Sequence, residues 1–585
     1  MSNTATKGLL SLLFISTSFW ASATPDIKRQ DREPEAATGL IAKETVVTDH
    51  AMVASANPYA SKAGLNILKQ GGSAVDAAIA VQLVLTLVEP QSSGIGGGAF
   101  MLHWDKSAQK LTTFDGRETA PAGATTDMFL DKSGKAMPWI KAVVGGHSVG
   151  VPGVLAGLKK AHEQYGKLPW NVLFKDAIKL AETGFIVSPR LEKLVAMEFN
   201  PGITKLDTIK NYFFPNGKAV KAGQVLKNPE LAAVYRSIAK QGIKVFYQGW
   251  LAEKIVAAVQ QSPIAPGRLT LADMKNYRAK ELPAVCGAYR QYQVCGMAPP
   301  SSGGVAIIQM LGQLEHFDIA KYTINDPQFA HLFTQSSRLA FADRNRYIAD
   351  SSFVNVPTQG LIDKQYLAQR ASLIKTNKDM GNATAGVPKG ALAQADDNAY
   401  ELPSTSHISI VDQYGNAISM TTSVEMGFGS AVMVEGFILN NQLTDFSLDP
   451  KQNGQWVANR LEPGKRPRSS MAPMMVFNED ETLKLVVGSP GGSRIINYVA
   501  QTMIAILDWQ LDPQSAINLP RITNRNKVTT LEKGTELVKL KPALEAIGHQ
   551  VAIRDLNSGI QAIVLSESKL HGGADQRREG LAIGF

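Results

Sequence analysis

Three places in this chain pair a nucleophile or an anion-binding turn with a context that could activate it. The first is Thr405. Residues 377–404 before it are rich in Gly, Ala, Asp, Asn and Lys and show no apolar period. Residues 406–411, Ser-His-Ile-Ser-Ile-Val, alternate like a strand. A threonine hydroxyl is a poor nucleophile without an adjacent base. Cutting between Ser404 and Thr405 would supply one, because the new α-amino group, of pKa ~8, can take the hydroxyl proton. The preceding segment reads as an exposed, mobile linker that lets the new terminus retract. The second place is Gly491-Gly492, at a turn between a strand over 483–488 and a helix from Arg494. Its backbone N–H groups are unobstructed and suit an oxyanion. The third is Gly146-His147-Ser148-Val149-Gly150, a G-x-S-x-G pattern after a short strand over 142–144. A nucleophile elbow needs a helix that starts at the serine. Pro152 puts the first helical turn further on, so a glycine-rich connection is the favoured reading. The nine histidines form no H-E-x-x-H or clustered Cys/His pattern, so no metal site is expected.

The elements that must position these groups are partly visible. Ser73 is a helix N-cap, a buried helix follows over 74–88, and Pro90 lies beyond its end. Gly94-Ile95-Gly96-Gly97-Gly98 resembles a nucleotide-binding loop only superficially, because a strand, 99–104, follows where a helix is required. Helices are expected over 151–165 and 327–348. A further strand over 417–422 follows a turn at 412–416. Cys286 and Cys295 face each other across a hairpin if Arg290-Gln291 is its turn, as a non-hydrogen-bonded pair. An oxidising compartment would allow a disulfide there; two reduced, buried thiols are the alternative.

The chain has 585 residues, 44% apolar and 19% charged, which excludes a disordered, collagenous or coiled-coil protein. Sixty Lys and Arg against 51 Asp and Glu leave a net charge of +9. That is mild for the length and has no like-charge block, so a nucleic-acid partner is not indicated. Residues 1–23 read as an export signal: Lys7, an apolar stretch over 8–20, then Ala21-Ser22-Ala23. Cleavage would start the mature chain at Thr24, in a periplasmic or secreted protein with no remaining membrane span.

Read together, the motifs resemble the γ-glutamyltranspeptidase (glutathione hydrolase) family over nearly all of the mature chain. The resemblance rests on residues 71–78 (Gly-Gly-Ser-Ala-Val-Asp-Ala-Ala), 93–98, 299–304 (Pro-Pro-Ser-Ser-Gly-Gly), Thr405-Ser406-His407, Asn440-Asn441-Gln442, Lys465-Arg466-Pro467 with Ser469-Ser470-Met471, and 488–494. It implies an N-terminal-nucleophile hydrolase with an α/β, αββα sandwich fold, whose precursor cuts itself into a large subunit (24–404) and a small one (405–585). It implies Thr405 as the nucleophile, Ser423 as the hydroxyl beside it, and Gly491 and Gly492 as the oxyanion donors. Arg117 would clamp the α-carboxylate of a γ-glutamyl donor together with Ser469 and Ser470, and a bidentate guanidinium suits that planar group. Gln442 and Asp445 would hold the α-ammonium.

Two departures concern the donor. Glu425 stands where the family usually has Asn, so two carboxylates would face the ligand and repel each other unless an ammonium lies between them. The segment 446–468, which can form a lid, is several residues short. Both features resemble a branch that includes acylase-like members. The expected activity is hydrolysis of glutathione and other γ-glutamyl amides, or transfer to an amino acid or peptide, with no cofactor. The rivals are a glutaryl or cephalosporin-type acylase of the same fold and an unprocessed, non-catalytic scaffold.

Overall fold

The computed structural model describes residues 40–397, 399, 401, 402 and 404–585. The reading of 1–23 as an export signal lies outside the described residues. Fourteen strands build two seven-stranded antiparallel sheets. In chain order they are β1 (Val46–Thr48), β2 (Met52–Ser55), β3 (Gly98–Asp105), β4 (Lys110–Gly116), β5 (Lys280–Leu282), β6 (Val285–Tyr289), β7 (Tyr292–Gly296), β8 (Ser406–Val411), β9 (Ala417–Ser423), β10 (Met474–Phe477), β11 (Leu483–Gly488), β12 (Gln561–Ser566), β13 (Lys569–Ala574) and β14 (Leu581–Gly584). One sheet runs β14-β2-β8-β9-β3-β4-β5; the other runs β1-β13-β12-β11-β10-β7-β6.

Strand alternation splits the apolar residues between two faces. Met52, Phe100, Leu102 and Val411 of the first sheet meet Met475, Val486 and Ile563 of the second in one buried cluster between the sheets. The opposite faces carry helices. Val53, Met101, Ile408 and Ile410 pack under α1 (Pro58–Lys69), α2 (Ala74–Val88) and α3 (Val154–Tyr165). Val476, Leu485, Val487 and Ala562 pack under α4 (Gly303–Leu314), α5 (Pro327–Tyr347) and α6 (Ile495–Leu507). The result is an αββα sandwich. α2 is apolar on every side and wholly buried, as an interior helix must be. Its polar start is closed by a capping box: Ser73 accepts from the Asp76 N–H, and the Asp76 carboxylate accepts from the Ser73 N–H.

Three expectations change. The run at 142–144 is not a strand: a short helix, Trp139–Val143, ends there, because a brief apolar run carries no decisive period. The helix expected from 151 begins at Val154, just beyond Pro152. The described residues of 377–404 form no helix or strand, yet they are not a loose tether. Asp379 pairs with Arg338, and Asp397 and Glu401 are buried against Arg468. The Cys286/Cys295 question resolves in favour of a disulfide, in the expected register with Tyr289 opposite Tyr292. No helix among the described residues is long and apolar enough to cross a membrane.

Candidate functional site

The β8–β9 hairpin places the nucleophile candidate. Ser406 pairs with Thr422, and one more step of that register sets Ser423 opposite Thr405. The two hydroxyl oxygens are 3.4 Å apart. The Ser423 hydroxyl donates to the Ser404 carbonyl oxygen at 2.7 Å and accepts from the Glu425 N–H at 2.8 Å. β9 lies beside β3, with Ser423 paired to Gly98. The glycine run before β3 serves close packing here: a Cβ on Gly97 would lie 2.1 Å from the Ser423 carbonyl oxygen.

Thr405 shares its strand face with His407 and Ser409, toward the second sheet. His407 is fully buried, its ring bonded to Thr421 Oγ1 and Ser409 Oγ, and burial pushes its pKa down to about 3. It packs on Gly488, where a side chain would collide with the imidazole. It is therefore a neutral spacer between the sheets and no general base. β11 ends at Gly488, and the chain then turns through Gly491 and Gly492, at φ 136° and 56°, into α6. Those backbone angles favour glycine. Gly492 lines the cavity that holds Thr405; Gly491 precedes it.

The same cavity is lined by Arg117, Ser423, Glu425, Gln442, Asp445, Ser469 and Ser470. Arg117 follows β4 directly and is 1% exposed. Its five N–H donors go to Pro467 O, Glu118, Gln442 Oε1 (2.6 Å), Asp445 and Arg468 O (2.8 Å). Gln442 and Asp445 lie on one 3₁₀ turn after the Asn440-Asn441 pair. Asn440 ties that turn to Gly96 and Gly150. Asn441 donates to Glu425 Oε2 at 2.7 Å.

Burial and the neighbouring charge of Asp445 hold the Glu425 carboxyl well above the usual range. Burial raises Asp445 to about 6, with Arg117 opposing. The pair therefore shares a proton: Glu425 is neutral and Asp445 carries the charge paired with Arg117. The repulsion expected between the two carboxylates is one cause of that shift, and a proton on Glu425 relieves it. Glu118, against the same arginine, is buried and pushed up to about 8.

Ser469 and Ser470 are positioned by the Pro299-Pro300-Ser301-Ser302 turn. Ser302 bonds Ser469 O through both its N–H (2.7 Å) and its hydroxyl (2.8 Å), and Ser301 Oγ donates to Met471 O. Ser148, by contrast, is fully buried and donates to Val143 O and Gly145 O, so the G-x-S-x-G reading as a connection holds. Among the described residues no group of three His, Cys, Asp or Glu is arranged to hold a metal ion.

Sequence reasoning missed three charged groups here. Glu401 and Leu402 line the cavity, and Arg344 and Arg468 hold Glu401. Arg344 comes from the middle of the chain, on α5, so no local spacing could pair it with Glu401. Arg468 stands beside a quoted motif and was the one legible signal.

Comparison with known proteins agrees with this architecture. A sequence model of the family described as Gamma-glutamyltranspeptidase matches residues 60–585. The chain is 36% identical to the glutathione hydrolase proenzyme of Bacillus subtilis (strain 168), across all of this chain and 98% of that one. It is 38% identical to the glutathione hydrolase proenzyme of Escherichia coli (strain K12), over 90% of each. The crystal structure of a cephalosporin acylase from Bacillus halodurans superposes with a TM-score of 0.82 at 28% identity, over 93% of this chain and 97% of that one. With its motifs, its αββα sandwich and these matches, the chain belongs to the γ-glutamyltranspeptidase family.

Proposed function

We propose that this protein is a γ-glutamyl hydrolase and transferase, produced by self-cleavage between Ser404 and Thr405, that acts on glutathione and other γ-glutamyl amides. The observation that carries the reading is one cavity holding Thr405 and Ser423 together with an Arg117–Asp445–Gln442 side and a Ser469–Ser470 side. After cleavage the Thr405 hydroxyl adds to the γ-carbonyl and gives its proton to the free α-amino group. The N–H groups of Gly491 and Gly492 hold the oxyanion. On collapse the leaving amine takes the proton from the ammonium, and a threonyl ester remains. Water attacks the ester in hydrolysis and an acceptor amine attacks it in transfer; the same α-amino group takes the incoming proton and returns it to the Thr405 oxygen. Asp445 and Gln442 receive the donor ammonium, and Arg117, Ser469 and Ser470 the carboxylate side.

The large subunit (24–404) and small subunit (405–585) stay together. Export as a periplasmic or secreted protein is supported by the pattern in 1–23 and by the Cys286–Cys295 disulfide. A second reading, a glutaryl-type acylase, draws on the shared proton of Glu425 and Asp445, which eases their repulsion when no ammonium is present. Matched γ-glutamyl and glutaryl anilides decide between the two. A higher kcat/KM for the γ-glutamyl compound is expected; a glutaryl preference promotes the acylase, and a chain that stays uncut with no turnover promotes the scaffold.

A further inference from the structure

The proposed cut lies at the end of a stretch whose described residues make no helix or strand, so side chains rather than a backbone ladder must hold the scissile bond in place. At the bond itself, the Ser404 hydroxyl donates to Gln91 O at 2.5 Å and the Ser404 carbonyl accepts from Ser423. A second hold lies upstream. The Glu401 carboxylate, four residues before Thr405, is buried. One of its oxygens accepts from Arg344 and, at 3.3 Å, from Arg468; the other accepts from the Ser470 hydroxyl. Burial alone would raise Glu401, but the two guanidinium groups bring it down to about 2. Its main-chain oxygen lies 3.5 Å from the hydroxyl of Ser493, beside the Gly491-Gly492 turn.

The partners of Glu401 are themselves fixed. Arg344 sits on α5 and also donates to Ser470 Oγ at 2.6 Å and to Ser302 Oγ at 2.9 Å. Arg468 also pairs with Asp397 at 2.7 Å. Arg344 lies before the cut and Arg468 and Ser470 after it, so the clamp joins the two prospective subunits. Three Cα–Cα steps separate Glu401 from Ser404, which keeps the Ser404 Cα within about 11 Å of the anchor. Self-cleavage needs closer placement. The Thr405 hydroxyl oxygen adds to the Ser404 carbonyl carbon, and the C–N bond breaks as the nitrogen takes the hydroxyl proton. Water then splits the ester into the Ser404 carboxylate and the Thr405 hydroxyl. Misplacing such reacting groups by about 1 Å costs about 100-fold in rate.

We propose that Glu401 is a positioning residue for self-cleavage: its ion pairs with Arg344 and Arg468 hold the chain before the cut so that the Ser404 carbonyl stays between the Ser423 and Thr405 hydroxyls. This rests on the cut between Ser404 and Thr405 read above. The clamp acts on the precursor, before any donor binds, so the carboxylate side of the donor pocket stays with Arg117, Ser469 and Ser470.

Intact mass against time tests it. Glu401→Gln should slow self-cleavage about 100-fold, and Glu401→Asp, which keeps the charge, should restore part of the rate. Without the carboxylate, Arg344 keeps Ser470, Ser302 and Asn345 as acceptors and Arg468 keeps Asp397, so the fold is expected to stand. The Tm of uncut Thr405→Ala, with and without Glu401→Gln, checks that. A second variant separates positioning from a general loosening: one glycine inserted between Glu401 and Leu402 keeps every ion pair but lengthens the tether. It should slow cleavage to a similar extent at an unchanged Tm. Cleavage at the native rate in either variant overturns the proposal, and if Glu401→Gln does not fold, the insertion decides alone. Failure of the functional reading looks different, since the unaltered chain would then stay uncut.

Discussion

The hydroxyl of Ser423 donates to the main-chain carbonyl oxygen of Ser404 across 2.7 Å. That carbonyl belongs to the bond proposed to break. The same hydroxyl lies 3.4 Å from Thr405 Oγ1, so it touches both the attacking group and the group attacked. Removing a donor aimed at a developing oxyanion costs roughly 10² to 10³ in rate. Ser423→Ala should therefore fold and slow self-cleavage by about 100-fold, while Thr405→Ala should stay one chain and inactive. Intact mass against time reads both; a Thr405→Ala chain that still splits at this bond would mean an outside protease.

The Glu425–Asp445 pair sets a pH dependence. Asp445 is raised to about 6, so its proton is favoured in the folded, empty site. The stability this gives is present below the ordinary carboxylate range and is lost as pH rises through about 6. Donor binding runs the other way, because an ammonium needs the ionised carboxylate. For γ-glutamyl anilides kcat/KM should climb through about pH 6. Asp445→Asn should remove that limb and much of the preference over glutaryl anilides, while Glu425→Asn, already neutral, should keep both. A pH profile with no change in Asp445→Asn would refute the assignment.

Ser148 should be dispensable for chemistry. Its hydroxyl satisfies two buried carbonyls, so Ser148→Ala is expected to cost about 1–3 kcal/mol of stability and to leave turnover per processed molecule intact. Denaturant melts and active-site titration separate the two effects. A loss of several orders of magnitude in folded, processed protein would revive the serine-hydrolase reading.

The short segment after Asp445 is expected to leave the donor pocket accessible to water. Residues 446–468 form a small hairpin, Lys451–Gln452 with Gln455–Trp456, that pairs through Val457 with Ala395. Hydrolysis should exceed transfer, and bulky γ-glutamyl amides should be accepted. Strict selectivity for glutathione in a donor panel would count against this.

Reduction of Cys286–Cys295 should destabilise the β6–β7 hairpin without touching the cavity. The bond closes a loop of sequence separation 9, which in the chain-entropy account is worth about 2–3 kcal/mol. A fall in Tm on reduction, with turnover below the transition preserved, is the expected result.

What the sequence made legible was local. The N-cap at Ser73, the alternation of 406–411, and the hairpin register at Cys286 all follow from short-range pattern, and each is where it was expected. Thr405 stood out because a strand begins where an aperiodic stretch ends. The ion cluster around Glu401 stayed hidden because Arg344, Glu401 and Arg468 meet only through tertiary folding. The 142–144 stretch was misread because three apolar residues suit a helix end as well as a strand. The pairing of β7 with β10, across 180 residues, had no local signal at all.

Both sheets draw strands from either side of Ser404. β2 lies between β8 and β14, β3 pairs with β9, and β7 with β10. Before the cut, folding is a first-order event within one chain. Afterwards the two polypeptides are threaded through each other's sheets, and reassembly from the unfolded state becomes a second-order encounter governed by concentration. The cut molecule should thus lose reversibility at high dilution while its unfolding rate stays slow, so its persistence is a matter of kinetics rather than equilibrium.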